Sequence, residues 1–288
     1  MGNENYTLIT GSSKGIGKAI AMECASRKMN ILLVALPDED LYKTSQEIAQ
    51  KFEVKSDFFE TDLTKTDGPE NVYKWCKQKG YLINILVNNA GMAGTTIFEN
   101  STLDYINERI QLNIRALVLM TRLFIPDLKK SPSSYILNIG SLSAYYAIPY
   151  KSVYAASKAF VVSFSTSIND ELKETSISVS VVCPNGVETN KGTFNRIKLH
   201  GVFGNLTKIS PCELANYTIT KMFQKKNIII PKRINRFLLF LEKIIPEKLL
   251  QQLLLKEFKK EIHNSKPVIK LKKIEVFAMK FKKEQIKG

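Results

Sequence analysis

The sequence contains little cysteine and even less histidine. Four cysteines and two histidines occur in 288 residues, and no two cysteines form a Cys-x-x-Cys pair. Their positions are Cys24, Cys76, Cys183, Cys212, His200 and His263. This scatter indicates neither a zinc site nor a framework of disulfide bonds, and no metal is predicted.

Acidic residues are scarce near the C-terminus. The net charge is +15, and from Lys221 onward 19 Lys and Arg stand against 6 Asp and Glu, which places +13 in the last 68 residues. The first 220 residues are close to neutral. A nucleic-acid-binding fold carries its charge across its reading surface. We therefore predict a soluble body with a basic appendage and no nucleic-acid partner.

The C-terminal region also lacks long uncharged hydrophobic runs, and no secretory leader is expected. In the last sixty residues no uncharged run approaches the ~20 residues that a membrane-spanning helix needs. The first ten residues, MGNENYTLIT, lack a basic segment followed by an apolar one. With 44% hydrophobic and 24% charged residues, the composition is that of a globular protein, and a cytoplasmic location is expected.

A glycine-rich turn stands between a predicted strand and a predicted helix. Residues 6–9 form the strand, Thr10-Gly11-Ser12-Ser13-Lys14-Gly15-Ile16-Gly17 follows, and an amphipathic run begins at Lys18. In this order Gly11 allows a tight turn, Gly15 lets the backbone approach a pyrophosphate, and Gly17 permits close helix packing. The helix N-terminus adds amide donors for phosphate. The segment predicts a dinucleotide-binding turn.

Strand-like and helix-like segments alternate along the rest of the first 230 residues. The alternation predicts an α/β fold with a doubly wound parallel sheet. Predicted strands are residues 6–9, 31–35, 54–60, 83–87, 135–140, 177–182 and 227–231, and predicted helices are residues 18–28, 38–52, 70–78, 102–128 and 151–172.

The stretch from Ser141 to Lys158 holds a serine, a tyrosine and a lysine at chemically interpretable spacings. On a helix, Tyr154 and Lys158 project from the same face, about 5–6 Å apart at Cβ. A neighbouring ammonium group would lower the pKa of the phenol from ~10, as a proton shuttle requires. Ser141, at the end of a strand, could hydrogen-bond a substrate oxygen. Taken alone, however, a Tyr-x-x-x-Lys pair is common on solvated helix faces.

Asn113 is a polar residue in the middle of the long predicted helix, among apolar neighbours. Taken alone, such an amide is either a surface residue or a core residue whose hydrogen bonds are satisfied. Its spacing to other residues does not decide between a structural and a functional role.

Six elements occur in one order between residues 5 and 230. They are Thr10-Gly11-x-x-x-Gly15-x-Gly17, Asp62-Leu63, Asn88-Asn89-Ala90-Gly91, Asn113, Ser141 with Tyr154-x-x-x-Lys158, and Pro184-x-x-Val187-x-Thr189. In order and spacing they closely resemble the motifs of the classical short-chain dehydrogenase/reductase family. The resemblance implies a Rossmann-type fold and an NAD(P)-dependent oxidoreductase.

The same resemblance implies roles for individual residues. The catalytic tetrad would be Asn113, Ser141, Tyr154 and Lys158, with Asn113 holding a water that links Lys158 to solvent. Asp62 would contact the adenine, and Asn89 would lie along the adenosine ribose. Lys158 would grip the nicotinamide ribose, and Thr189 would touch the carboxamide. The full predicted cofactor-binding set is Gly11, Ser12, Ser13, Lys14, Gly15, Ile16, Gly17, Asp62, Leu63, Asn89, Ala90, Gly91, Tyr154, Lys158, Val187 and Thr189.

One departure from the family pattern follows Pro184. The family usually has glycine directly after this proline, whereas here Asn185 stands there and Gly186 comes one place later. A locally shifted backbone is therefore expected.

The second departure concerns the choice of cofactor. The second predicted strand ends in Val34-Ala35-Leu36-Pro37, without the acid typical of NAD users or the arginine of many NADP users. Lys14 resembles the basic residue that pairs with the 2′-phosphate of NADP, and Ser12 and Ser13 could add donors. The acids at 38–40 argue against this, although acids in a first helical turn are ordinary dipole partners. We predict NADP, with NAD as the alternative.

Residues 231–288 are predicted to form a basic amphipathic helical extension and tail behind a catalytic domain of residues 1–230. One apolar helical face runs from Ile234 to Ile245, Pro246 interrupts it, and a second runs from Leu250 to Ile262 with lysines opposite. These helices could cap the substrate cleft, form a subunit contact, pack on the body or lie on an anionic membrane.

The predicted function is hydride transfer between NADP(H) and a lipophilic carbonyl or secondary alcohol, with Tyr154 as general acid/base. The alternative is a non-catalytic nucleotide-binding regulator or scaffold on the same fold. A homo-oligomer is expected, either cytoplasmic or peripheral on the inner membrane surface. The substrate itself has no recognisable motif.

Overall fold

The computed structural model describes residues 5–37, 39–242 and 244–264. The strands are β1 Asn5–Thr10, β2 Asn30–Ala35, β3 Ser56–Glu60, β4 Leu82–Asn88, β5 Ser134–Ile139, β6 Ile177–Val182 and β7 Ile228–Ile229. Within the described part of the chain they form one seven-stranded sheet in the order β3-β2-β1-β4-β5-β6-β7, and every neighbouring pair is parallel. The predicted doubly wound parallel sheet is confirmed.

Helices cover both faces of this sheet. They are α1 Gly15–Ser26, α2 Glu39–Phe52, α3 Gly68–Gln78, α4 Leu103–Ile110, α5 Leu117–Leu128, α6 Ser152–Glu171, α7 Lys191–Leu199, α8 Gly201–Thr207, α9 Pro211–Phe223, α10 Arg233–Glu242 and α11 Glu247–Asn264. Ile9 of β1 packs in one apolar core with Ile20 of α1 and Leu214 of α9. Leu8 packs in the other core with Phe124 of α5. Neighbouring strand residues thus face opposite helical layers, as the period of two requires.

The sheet changes its direction of growth at β1 and β4, which are direct neighbours. The connections that leave the carboxyl ends of these two strands run to opposite sides, which opens the crevice where α/β sheets bind ligands. Thr10 ends β1 and Asn88 ends β4. The glycine turn and the Asn88-Asn89-Ala90-Gly91 segment therefore meet at this crevice.

The helix predicted over residues 102–128 is continuous but not uniformly α-helical. Between α4 and α5 lies a π-helical segment, Gln111–Ala116, which contains Asn113. Such segments often occur at functional sites because the wider turn re-aims its side chains.

The C-terminal extension packs on the helices that follow β6, since α10 contacts α8 and α11 contacts α7. Most of the predicted apolar stripe is half-buried, but Phe237, Ile244 and Leu253 are exposed. The tail from residue 265 lies outside the described residues, and the domain boundary at residue 230 stays a prediction. Among the described helices, none is long and apolar enough to cross a membrane.

Candidate active site

The turn between β1 and α1 requires glycine at three positions. Gly11 and Gly15 have φ angles of +62° and +61°, a region that glycine adopts without strain. A Cβ on Gly17 would lie 2.2 Å from the carbonyl oxygen of Gly11. The first turn of α1 itself holds no acidic residue. The turn and helix N-terminus thus form a backbone cradle that fits a pyrophosphate.

Asn89 braces the glycine turn from the neighbouring loop. Its Nδ2 donates to the carbonyl oxygens of Thr10 at 2.9 Å and Gly11 at 2.8 Å. The backbone N–H groups of Asn89 and Ala90 both donate to Thr10 Oγ1 at 3.0 Å. The Asn89 side chain therefore serves the turn directly, and its implied contact with the ribose stays a prediction.

Ser141 and Tyr154 come together at the carboxyl end of β5. Tyr154 lies in the first turn of α6, and the side chains of Ser141 and Ser143 act on its phenol and tend to lower its pKa. Ser141 Oγ also accepts hydrogen bonds from Ser143 N at 3.1 Å and Ser143 Oγ at 2.8 Å. The structure thus brings the predicted pair together and adds a second serine.

The electrostatics of Tyr154 differ from the expectation. Burial raises its pKa, and the hydrogen bonds with Ser141 and Ser143 and the charge of Arg196 oppose this only in part. Lys158 Nζ lies 6.0 Å from the centre of the Tyr154 ring and donates to the carbonyl oxygen of Ile139 at 2.7 Å. The lowered phenol pKa predicted from the Tyr154–Lys158 spacing is therefore not found. Burial also lowers the pKa of Lys158 to about 8.

The side chain of Asn113 is 1% exposed and forms hydrogen bonds with two neighbouring residues. Its Oδ1 accepts from Met92 N at 2.8 Å, and its Nδ2 donates to Met92 O at 2.9 Å and Ser157 Oγ at 3.0 Å. A Cβ on Gly91 would lie 3.2 Å from Asn113 Oδ1 and 3.6 Å from Lys158 Nζ. The side chain is thus a satisfied core hydrogen-bonder that shapes the loop beside Lys158. The water implied for Asn113 stays a prediction.

The residues that would distinguish NADP from NAD differ in their accessibility. Ser12 is fully buried, and its Oγ donates to Val34 O at 3.3 Å, so this hydroxyl is not free to meet a 2′-phosphate, contrary to expectation. Ser13 is half-buried, and Lys14 is exposed at the N-cap of α1. The side chains of residues 38–40 lie outside the described residues.

Asp62 and Leu63 form the turn after β3. Asp62 Oδ1 accepts from Thr64 N at 2.9 Å and Thr64 Oγ1 at 2.7 Å, and the Leu63 side chain is buried in the core. The Asp62 carboxylate thus fixes its own turn, the Leu63 side chain is not available to a cofactor, and the adenine contact of Asp62 stays a prediction.

Thr189 faces the glycine turn from the other side of the crevice. A Cβ on Gly15 would lie 3.2 Å from the Thr189 methyl carbon, while Val187 is buried and pairs with Ile209 in a β-bridge. Asn185 in the unusual position is exposed. The segment after β6 therefore still delivers Thr189 to the cofactor side of the cleft.

These motifs belong to one continuous match with known proteins. Residues 5–198, more than half of the chain, match the sequence model of short chain dehydrogenases. The chain belongs to the short chain dehydrogenase family.

Curated relatives of this short chain dehydrogenase act on different substrates. The very-long-chain 3-oxoacyl-CoA reductase of Bos taurus is 34% identical over 197 residues, which cover 66% of this chain and 62% of the relative. The 17-beta-hydroxysteroid dehydrogenase type 3 of Homo sapiens is 35% identical over 189 residues, which cover 64% and 59%. The chain thus matches about six tenths of the length of these relatives.

Solved structures extend the match beyond the family segment. A short-chain dehydrogenase from Sphingobium yanoikuyae in complex with NADPH is 29% identical, with a TM-score of 0.71 over 80% of this chain and 88% of that one. A bulky-bulky ketone specific alcohol dehydrogenase from Comamonas testosteroni is 25% identical, with a TM-score of 0.72 over 84% and 92%.

Three polar residues of this short chain dehydrogenase site were missed from the sequence. Ser143 and Ser157 bind Tyr154 and Asn113, respectively, and the charge of Arg196 on α7 reaches Tyr154. Ser143 follows Ser141 by two residues, but its role depends on the 3₁₀ turn of residues 142–145, which was not predicted. Arg196 had no signal, because nothing in the sequence orients α7.

Proposed function

We propose that this chain is an oxidoreductase that transfers a hydride between NADP(H) and a carbonyl or secondary alcohol. One observation carries the proposal: Tyr154 stands one helical turn from the buried Lys158, with Ser141 and Ser143 acting on its phenol. The glycine cradle lies at the same carboxyl edge of the sheet. The nicotinamide cofactor supplies or accepts the hydride. The residues of the chain bind the cofactor, orient the substrate oxygen and move the proton.

Tyr154 holds the proton that carbonyl reduction needs. Because burial raises its pKa above the ordinary value of 10.0, the phenol is protonated at neutral pH and can donate to a substrate oxygen held by Ser141. The phenolate that remains is stabilised by hydrogen bonds from the two serines and by nearby positive charge. Lys158, whose pKa is about 8, is our candidate for returning the proton.

A panel of ketones assayed with NADPH and NADH separates this proposal from its rival. We expect at least one lipophilic ketone to cause cofactor oxidation by the purified full-length protein. The rival, a nucleotide-binding regulator or scaffold, predicts tight cofactor binding without consumption across a broad panel. That second outcome would remove the enzymatic proposal and leave the fold and cofactor cradle unaffected.

A lipophilic substrate is the class that the relatives and the apolar residues after Thr189 favour. The helices that follow Thr189 expose apolar side chains, among them Phe194, Val202 and Leu206. The names of two relatives specify a very-long-chain 3-oxoacyl-CoA and a hydroxysteroid as substrate classes. We expect kcat/KM to rise with the apolar size of the ketone. A preference for small polar hydroxyketones would contradict this.

We also propose that the extension docks reversibly on an anionic lipid surface. Large apolar side chains stand exposed on α8, α10, α11 and the turn between the last two helices; they are Val202, Leu206, Phe237, Phe240, Ile244, Leu249, Leu253 and Leu255. Exposed cations lie on the last two of these helices, including Arg233, Arg236, Lys248 and Lys256. Each basic residue near an anionic bilayer contributes about 1 kcal/mol. Apolar insertion and charge attraction would act together.

Sedimentation with vesicles tests the lipid surface. Phe237 and Phe240 lie three residues apart and share a helix face. They are 53% and 60% exposed, so the double variant Phe237→Ser, Phe240→Ser removes apolar area that is mostly on the surface. Leu82→Ser, at an exposed apolar position at the start of β4, is the matched control. We expect salt-sensitive binding to anionic vesicles that only the double variant loses. No binding by the full-length protein at low salt would end the idea, and a dimer lost in the double variant would assign the surface to a subunit contact.

A further inference from the structure

We propose that Glu261, on the C-terminal helix α11, is a positioning residue of the substrate cleft. Its buried carboxylate ties α11 to three segments that border Tyr154, so that α11 forms a fixed wall of the cleft. The inference rests on the oxidoreductase function proposed above. It adds a residue that neither the sequence motifs nor the similarity to relatives indicates.

Glu261 has partners from three different parts of the chain. Its Oε2 accepts from Thr95 Oγ1 at 2.6 Å, and its Oε1 accepts from Lys151 Nζ at 2.9 Å and lies 2.8 Å from His200 Nε2. These partners are 166, 110 and 61 residues away in sequence. Glu261 is only 3% exposed, so this carboxylate is a buried junction rather than a surface charge.

A phenyl ring one turn earlier strengthens the junction. Lys151 Nζ lies 4.6 Å from the centroid of the Phe258 ring. The centroids of the Phe258 and His200 rings are 5.3 Å apart. Glu257 Oε1 is 3.0 Å from His200 Nδ1. The side of α11 that faces the body therefore presents two carboxylates and an aromatic ring to two basic residues.

The charges in this cluster depend on one another. Burial tends to raise the pKa of Glu261, but the hydrogen bond with His200, the charge of Lys151 and the hydrogen bond from Thr95 lower it to about 2. The hydrogen bond with Glu261 is the main cause that raises the pKa of His200. Burial lowers the pKa of Lys151 in spite of its ion pair. Removing one partner of such a buried pair leaves the others uncompensated.

Two of the partners lie beside the catalytic tyrosine. Lys151 is the N-cap residue of α6 and precedes Tyr154 by three residues. Thr95 belongs to the loop that leaves the crevice after Gly91, and the next residue, Thr96, donates its N–H to Tyr150 O at 2.8 Å. Glu261 thus holds this loop against the start of the helix that carries Tyr154.

The third partner connects α11 to the helix that follows Thr189. His200 caps the C-terminal end of α7, and Arg196 on the same helix exerts its charge on Tyr154. Arg196 Nη2 donates to Thr193 Oγ1 at 3.3 Å. The same Thr193 oxygen lies 3.3 Å from Thr189 Oγ1. A shift of α7 would therefore move both a cation near the phenol and the wall beside Thr189.

Glu261→Gln tests the role because it keeps the size of the side chain and removes its charge. In the full-length protein we expect kcat/KM for the best carbonyl substrate to fall on the order of 10–100-fold, since small misplacements cost up to about 100-fold. The loss should come chiefly from a raised KM. The NADPH dissociation constant should be unchanged, because the glycine turn is braced by Asn89 and Thr10 instead.

Glu247→Gln is the matched control on the same helix. Glu247 is exposed in the first turn of α11, away from the carboxylates that face His200, so its substitution should change KM little. Thr95→Val and Thr95→Ser form a second pair with less risk to folding. The valine loses the hydroxyl and should raise KM, and the serine should restore it.

Three outcomes decide the proposal. A Glu261→Gln protein that has a lower melting temperature but wild-type KM and kcat, assayed well below that temperature, would overturn it and leave a merely structural contact. If the wild-type protein turns over no ketone, the proposed function fails separately, and amide hydrogen exchange then tests the junction alone. Faster exchange in α7 and residues 92–96 in Glu261→Gln than in Glu247→Gln would support it, and equal exchange would overturn it.

Discussion

The proposed cofactor and substrate ends of the cleft are held by different kinds of contact. At the cofactor end, neutral groups hold the backbone, as Asn89 and Thr10 do for the glycine turn. At the substrate end, ionised groups join separate segments, as Glu261 does with Lys151 and His200. The cofactor end should therefore be insensitive to moderate changes in pH, whereas the substrate end should respond to them.

Among the changes that test this comparison of the two ends, the largest expected effect is at the cofactor end. In Gly17→Ala the new Cβ would lie 2.2 Å from Gly11 O and 2.5 Å from Asn89 Nδ2, so the turn or α1 must move. We expect NADPH affinity to fall on the order of 100-fold, about 2.7 kcal/mol, in a fluorescence titration. Gly80→Ala is the control, because Gly80 also has a positive φ, +70°, but no atom within 4 Å of the new Cβ. That variant should lose some stability and keep its affinity.

A smaller effect sharpens the account of cofactor choice. Lys14 is exposed at the N-cap of α1, where a 2′-phosphate would add negative charge. Lys14→Ala should weaken NADPH binding about tenfold, or roughly 1.4 kcal/mol, and leave NADH binding nearly unchanged. Lys18→Ala, which removes a cation already paired with Glu47 at 3.1 Å, should affect neither cofactor. Equal losses for both cofactors in Lys14→Ala would show that Lys14 does not contact the 2′-phosphate.

The smallest expected effect concerns pH at the substrate end. His200 faces Glu257 and Glu261 of α11 and Lys151 before α6, and the hydrogen bond with Glu261 is the main cause that raises its pKa above 6.5. A raised folded pKa adds stability that is complete below pH 6.5 and disappears as the pH rises through the folded value. The pKa of Glu261 is lowered from an ordinary 4.5 to about 2. The stability that this shift adds is complete above pH 4.5 and is lost as the pH falls toward 2.

Melting curves of His200→Asn and the wild type, recorded over a range of pH, measure where these charges add stability. The difference in melting temperature should be largest between pH 4.5 and 6.5, at roughly 2–4 °C per kcal/mol for a domain of this size. It should narrow at higher pH. A difference that is constant from pH 5 to pH 9 would show that His200 acts through packing and not through its charge.

The cofactor end was predictable because the segments that form it are consecutive in the sequence. A strand, a turn with Gly11 and Gly15 at positive φ, and a helix N-terminus follow one another in the chain, so their spacing alone indicates the cradle. Recognition of the family then added Asn113, which spacing could not interpret. Ser12 was misjudged, because whether its hydroxyl faces the cleft or Val34 depends on backbone direction within the turn.

The substrate end was not predictable because its contacts join distant segments. Glu261 lies in a lysine-rich amphipathic segment, where the pattern predicts that an acidic side chain is on the surface. Its partner Thr95 is 166 residues away in sequence. The pKa of Tyr154 was misjudged for a related reason. Helical spacing places Lys158 nearby, but burial and the direction of the ammonium group decide the sign of the shift.

Turnover by Tyr154→Phe bears most directly on the central claim, that this phenol carries the proton. Phenylalanine keeps the ring and removes only the hydroxyl that binds Ser141 and Ser143. With NADPH and the best carbonyl substrate, we expect kcat to fall on the order of 10²–10⁴-fold, while the NADPH dissociation constant and the melting temperature stay close to the wild-type values. Wild-type turnover by a folded, cofactor-binding Tyr154→Phe protein would contradict the account.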